Sequence, residues 1–141
     1  VENMSIQDLI DKARVEAATP VTDSANVVVG GVMVALTFTK LLGADWSAIT
    51  AVNPPRKGAQ LDSNLGYNLD AAAGAYPVDK VTVDGEHPTT EQWTEMYGFL
   101  DAPWREVVAL KLWGLNQQGP AAKILALGKA SSGAGSRKKR N

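Results

Sequence analysis

The chain has no cysteine and a single histidine, His87, among its 141 residues. Without thiols, disulfides and thiolate metal sites are excluded, and one histidine is too few for a zinc or non-haem iron centre built within one chain. Long hydrophobic runs are also missing. The longest, Val27 to Phe38, is interrupted by Gly30-Gly31 and Thr37 and is too short to cross a bilayer. No basic start followed by an apolar core marks the N-terminus, so no signal peptide is expected and the chain is read as cytosolic. Charge of one sign is not in excess either, the formal net charge being −1. The distribution is uneven, however. Lys129, Arg137, Lys138, Lys139 and Arg140 give the segment from residue 129 a charge of +5 with no acid. Taking that from the formal −1 leaves −6 for residues 1–128.

Catalytic patterns are equally sparse. There is no G-x-S-x-G elbow, and His87 sits in Glu86-His87-Pro88, which reads as a loop. Gly30-Gly31 has neither of the spacings that cradle phosphate. Asp62 and Asp70 share a helical side only if Gly66 between them does not break the helix, and Glu91 with Glu95 reads as a solvated acidic face. The expectation is a protein that is not an enzyme and carries no cofactor or metal.

The composition, 45 % apolar, suits one globular domain over residues 1–128 with a flexible Ser/Gly-rich basic tail over 129–141. Ser5 with Asp8 predicts a helix start, and Ile6, Leu9, Ile10, Ala13 and Ala17 form one apolar stripe ending near Ala18. Asn26 to Phe38 is the clear β segment, a hairpin turning at Gly30-Gly31. Asn68 to Tyr76 is an alanine-rich helix weakened by Gly74, and Lys80 to Val83 a short extended piece within a loop. Thr89 and Gln92 form a capping-box pattern ahead of Trp93, Met96, Tyr97 and Leu100. Asp101-Ala102-Pro103 starts a further helix, with Trp104, Val108, Leu112 and Leu115 on one face, widened by Val107 and Leu110. Trp93 and Trp104 are expected as core anchors, and Gly114 as a close-packing site. Gly119-Pro120 is expected to stop that helix before a last short one, Ala121 to Leu127. The fold class is α+β: a small helix-dominated domain with one β-hairpin and a disordered basic C-terminal tail.

The chain converges on Trp46 to Asn68. A short helix, Asp45 to Val52, places Trp46 and Ile49 on one side and is stopped by Pro54-Pro55. Arg56-Lys57-Gly58 make a basic turn, and Asp62 and Gly66-Tyr67-Asn68 complete a polar corner. Two readings stay open, a structural elbow and a partner-binding surface. Candidate partner-binding residues are Trp46, Arg56, Lys57, Asp62, Tyr67 and Asn68; candidate charge contacts are Arg137, Lys138, Lys139 and Arg140. Both Arg56 and Lys57 are expected to be exposed, so that reversing their charges leaves the fold intact.

The order of hairpin, Trp-bearing helix, N-P-P-R-x-G-x-x-x-D-x-x-x-G-Y-N, Thr-Glu-Gln-Trp helix start and a helix reaching Leu115-Asn116 resembles the tail assembly chaperones of long-tailed actinobacterial phages. The matching positions are Pro54, Pro55, Arg56, Gly58, Asp62, Gly66, Tyr67 and Asn68, while Asn53 stands where that family often has histidine. The resemblance implies a non-enzymatic chaperone that binds the mostly helical tape-measure protein and assists tail tube assembly. It implies further partners, the tail tube protein and a frameshifted longer form of the chain itself, with homo-oligomerisation open and no membrane role. It also places the protein in the cytoplasm of the infected host and outside the mature virion. Two rivals are another phage morphogenesis component, such as a head–tail connector or minor structural protein, and a small nucleic-acid-associated protein acting through its basic tail.

Overall fold

The computed structural model describes residues 4–139, with side chains as far as residue 129. Helix α1 (Ile6–Ala18) begins at a complete capping box: Asp8 N–H donates to Ser5 Oγ at 3.1 Å and Ser5 N–H to Asp8 Oδ2 at 3.2 Å. Strands β1 (Thr22–Val29) and β2 (Val32–Thr39) form the hairpin, closed where Val29 faces Val32. Gly30 and Gly31 turn at φ +57° and +78°, the left-handed pair that suits a two-residue hairpin. The extended piece after Lys80 is a third strand, β3 (Val81–Val83), antiparallel to β2, so the sheet order is β1-β2-β3. Alternation puts Ala25, Val27, Leu36, Phe38 and Val81 on the buried face; Ser24, Asn26, Met33 and Ala35 face solvent.

Helices α2 (Gly43–Ala51), α3 (Gln60–Leu65), α4 (Leu69–Gly74), α5 (Thr90–Phe99) and α6 (Ala102–Trp113) build the other layer. Aromatic rings knit it to the sheet. Phe38 meets Tyr76 and Trp93 edge-on at centroid distances of 6.1 and 5.9 Å, and Trp93 lies 5.8 Å from Tyr97. Trp93, 1 % exposed, donates its indole N–H to Ala73 O at 3.0 Å. Gly74 has a packing reason: a Cβ there would stand 3.1 Å from the Tyr97 ring.

Four expectations change. The stripe on α1 is not buried at all, Ile6 being 78 % and Leu9 54 % exposed, because no other element lies against it closely enough to cover it. Trp104 packs half-buried at the edge of the core, whose α6 face is Val108, Ala109 and Leu112, while Leu110 points outward. Gly114 is not the close contact; a Cβ there meets only Gln118 Oε1 at an ordinary 3.8 Å. Gly119-Pro120 does not end the helix. Residues Gly114–Gln118 form a π-turn and α7 (Gly119–Lys139) continues from it. In an α-helix the Pro120 ring would collide with the carbonyl four residues back, and the wider turn relieves this. Gly119 N–H then bonds Gly114 O, and a Cβ on Gly119 would sit 2.8 Å from that oxygen, so glycine fits there. The expected flexible tail falls on residues whose side chains, from 130 onward, lie outside those described; the backbone of α7 runs to Lys139.

Candidate functional site

The corner between α2 and α4 holds together through the π-turn. Trp46 and Tyr67 are both buried, their rings edge-on at 6.0 Å. Trp46 Nε1 and the Tyr67 hydroxyl both donate to Gln117 Oε1, at 3.0 and 3.1 Å. The neighbouring Asn116 is buried: its Oδ1 accepts from Leu41 N–H at 2.8 Å, and its Nδ2 donates to Tyr76 Oη and Leu112 O at 3.0 Å each. Tyr76 in turn donates to Thr39 O at 2.7 Å. Burial pushes the Tyr76 hydroxyl up to about 12, against the opposing bond from Asn116. Asn68 caps α4, its Oδ1 accepting from Ala71 N–H at 3.1 Å, and its own N–H bonds Asn53 O at 2.8 Å. Asn53 donates Nδ2–H to Ile49 O at 2.7 Å and closes α2.

The basic turn is not the free pair of cations expected. Asp62 is 1 % exposed, on a short helix that the sequence reading missed, and it faces Arg56 across the turn. Arg56 backbone N–H and Nε–H both donate to Asp62 Oδ2, at 2.8 and 2.9 Å, and Nη2 to Oδ1 at 3.0 Å. The side-chain bonds, then the backbone bond, hold the Asp62 carboxyl below the usual carboxylate range despite its burial. Lys57 is exposed and, among the described residues, forms no ion pair.

Gly66, at φ +87°, ends α3, so Asp62 and Asp70 belong to separate helices. Each has its own arginine. Arg105 on α6 donates Nε–H and Nη2–H to Asp70 at 3.2 and 2.7 Å, and Tyr97 Oη adds a bond at 2.7 Å. Burial alone would raise the Asp70 carboxyl; bonds from Arg105 and Tyr97 outweigh it and hold it low. The Tyr97 hydroxyl is pushed well up, by burial first and then by its bond to the Asp70 carboxylate. Both pairs border one cleft of about 260 Å³, floored by Leu69 and Ala109 with Leu61 and Leu110 at its lip. Arg105–Asp70 ties α6 to α4, while Arg56–Asp62 ties the turn after α2 to α3.

The six central candidates therefore divide. Trp46 and Tyr67 are packed inside, Asn68 is a half-buried cap, Asp62 is a buried anchor for Arg56, and Arg56 and Lys57 are exposed. Contacts of Arg137, Lys138, Lys139 and Arg140 lie outside the described residues. The sequence reading missed Asn116 and Gln117, though Val108, Leu112 and Asn116 recur four apart, and a polar residue on a buried face was the available signal.

Exposed apolar surface lies elsewhere, on α1 (Ile6, Leu9, Ile10) and α7 (Ile124, Leu125, Leu127). Two grooves of about 670 Å³ each open at the roots of these helices and share Glu16, Val21, Lys40 and Lys123. One is bordered by Ala13 and Ala17 of α1, the other by Leu115, Pro120, Ile124 and Leu127 on the α7 side. Among the described residues no three potential metal ligands cluster, and no helix is long and apolar enough to cross a membrane. Neither a family model, nor a curated protein, nor a solved structure matches the chain.

Proposed function

We propose that the protein is a phage tail assembly chaperone that holds the helical tape-measure protein through α1 and α7, in the host cytoplasm and outside the mature virion. The observation that carries this reading is α1 itself: a helix with a complete capping box and an apolar stripe, of which no residue is buried. An isolated helix of about 12–15 residues is marginal in water, so such a stripe is stabilised by a helix laid against it. The α7 apolar residues and the two root grooves extend the same side of the molecule. The −6 body favours basic stretches of client. The nature of the client comes from the resemblance around Pro54–Asn68, and no catalytic step is required of any residue.

Coexpression tests it. Fragments of the tape-measure protein encoded beside this gene should gain soluble yield from the wild-type chain and lose that gain with Ile6→Gln, Leu9→Gln and Ile10→Gln together. Unchanged client solubility with and without the protein, alongside salt-sensitive DNA binding, would favour the nucleic-acid reading instead.

A further inference from the structure

The sheet has an open side. In an antiparallel pair, residues alternate between bonding their neighbour and pointing their N–H and C=O away. Closure of the hairpin at Val29 and Val32, with Lys40 N–H on Val21 O at 2.8 Å at the far end, assigns the inward groups to the odd-numbered residues of β1. The even-numbered ones point off the edge. Ser24 N–H is taken by Asp23 Oδ1 at 2.8 Å, which blunts that end. No bond among the described residues engages the outward N–H of Asn26 or Val28.

Natural edges are guarded by lysine, proline, a bulge or a covering loop. The β1 sequence Thr-Asp-Ser-Ala-Asn-Val-Val-Val has no lysine or proline, its one charge, Asp23, guards only the end already blunted at Ser24, and its register with β2 runs unbroken through all eight residues. We infer that β1 is a self-association edge, pairing antiparallel with β1 of a second copy to make one continuous six-stranded sheet.

The free groups fix the register. With the two-fold axis at Val27, Asn26 exchanges N–H···O=C bonds with Val28 of the partner subunit, and Val28 does the same with Asn26 of the partner subunit. Val27, already buried within each subunit, then lies across the axis from its own copy, and Ala25 lies across from Val29 of the partner subunit. Asp23, the only charge on β1, falls opposite Gly31 of the partner subunit and meets no like charge. The capped Ser24 amide is left undisturbed. A helical client lacks the extended backbone this edge requires, which separates the inference from the proposed client surface. Few bonds are involved, so the dimer is weak, with a dissociation constant on the order of 100 µM.

Residue-resolved amide exchange on the full chain, combined with sedimentation across a dilution series, tests this. At about 1 mM a dimer should form in which the Asn26 and Val28 amides exchange about fivefold more slowly than after dilution. Val28→Pro, which removes only an outward donor, should abolish both the dimer and the protection of Asn26 while the Ala25 and Val27 amides stay protected. Should that variant misfold, Asn26→Lys supplies the same test through charge at the edge. A chain still monomeric at about 1 mM, a dimer that survives both variants, or protection of Asn26 and Val28 independent of concentration would each overturn the inference.

Discussion

Helices α1 and α5 begin with the same device and end in opposite circumstances. Both carry a reciprocal capping box, Ser5 with Asp8 and Thr89 with Gln92, and both present an apolar stripe at helical spacing. Helix α5 buries Trp93 and Tyr97; α1 buries nothing. The difference lies in what the stripe residues can do besides being apolar. Trp93 reaches Ala73 O and Tyr97 reaches Asp70, so each aromatic brings a polar end that fits one place in the fold. Ile6, Leu9 and Ile10 have no such end, and any complementary apolar surface suits them. Caps and periodicity decide that a helix forms and which side is apolar, but not what covers that side.

The largest effect expected within this contrast is at Trp93. Trp93→Ala should cost about 3–5 kcal/mol, a large part of the roughly 5–15 kcal/mol that holds so small a domain together. Trp104→Ala, at the half-buried edge, should cost clearly less, and urea unfolding of the two variants ranks them. Equal losses would place Trp104 in the core after all. Next comes Asn116→Ala, which strips the Leu41 amide of its acceptor inside the fold and should cost about 1–3 kcal/mol, read as a fall in the urea midpoint.

Charge reversal sharpens the comparison at the turn. Glu at position 56 would face the buried Asp62 carboxylate where a guanidinium now clasps it, so Arg56→Glu should lower Tm markedly. Lys57→Glu, one residue away and exposed, should leave Tm nearly unchanged. Similar Tm values for the two variants would mean that the Arg56–Asp62 pair contributes nothing.

The same pairs set the pH response. Asp62 and Asp70 titrate below their unfolded values, so their stabilisation is present above the ordinary carboxylate range, about 4, and is lost as pH falls through the lower folded values. Tyr76 titrates above its unfolded value, so its contribution is complete below pH about 10 and is lost as pH rises towards about 12. Tm measured across pH should therefore be flat from weakly acid to weakly alkaline conditions and fall on both sides. For Asp70→Asn the acid-side fall should be shallower.

Local signals made much of the fold legible beforehand. The hairpin follows from Gly30-Gly31 between β-branched runs, and the start of α5 from Thr89 and Gln92, because each needs only neighbours in sequence. The arginine partners of Asp62 and Asp70 were not legible. Arg56 and Asp62 meet across a tight turn containing an unforeseen helix, and Arg105 reaches Asp70 from 35 residues away. The π-turn was hidden for another reason. Gly-Pro ordinarily ends a helix, and only the bond from Gly119 N–H to Gly114 O shows how the chain continues past it. Trp46 and Tyr67 looked like a surface because they flank exposed turns; their shared polar partner, Gln117, lies 71 and 50 residues on.

The smallest effect on stability is expected where the proposed effect on function is greatest. Gln at positions 6, 9 and 10 removes apolar side chains that touch no core residue, and glutamine keeps good helix propensity, so each change should alter unfolding free energy by no more than about 0.5 kcal/mol. The capping box at Ser5 and Asp8 is untouched and α1 can still form. If α1 is a docking helix, the triple variant should match wild type in urea unfolding yet lose the gain in client solubility. Trp93→Ala should lose both together. A large fall in the urea midpoint for the triple variant would mean that α1 packs on its own domain in solution, and the stripe would then belong with α5 as core. Full retention of client solubility, with stability unchanged, would move the client surface to α7 and remove α1 from the proposal.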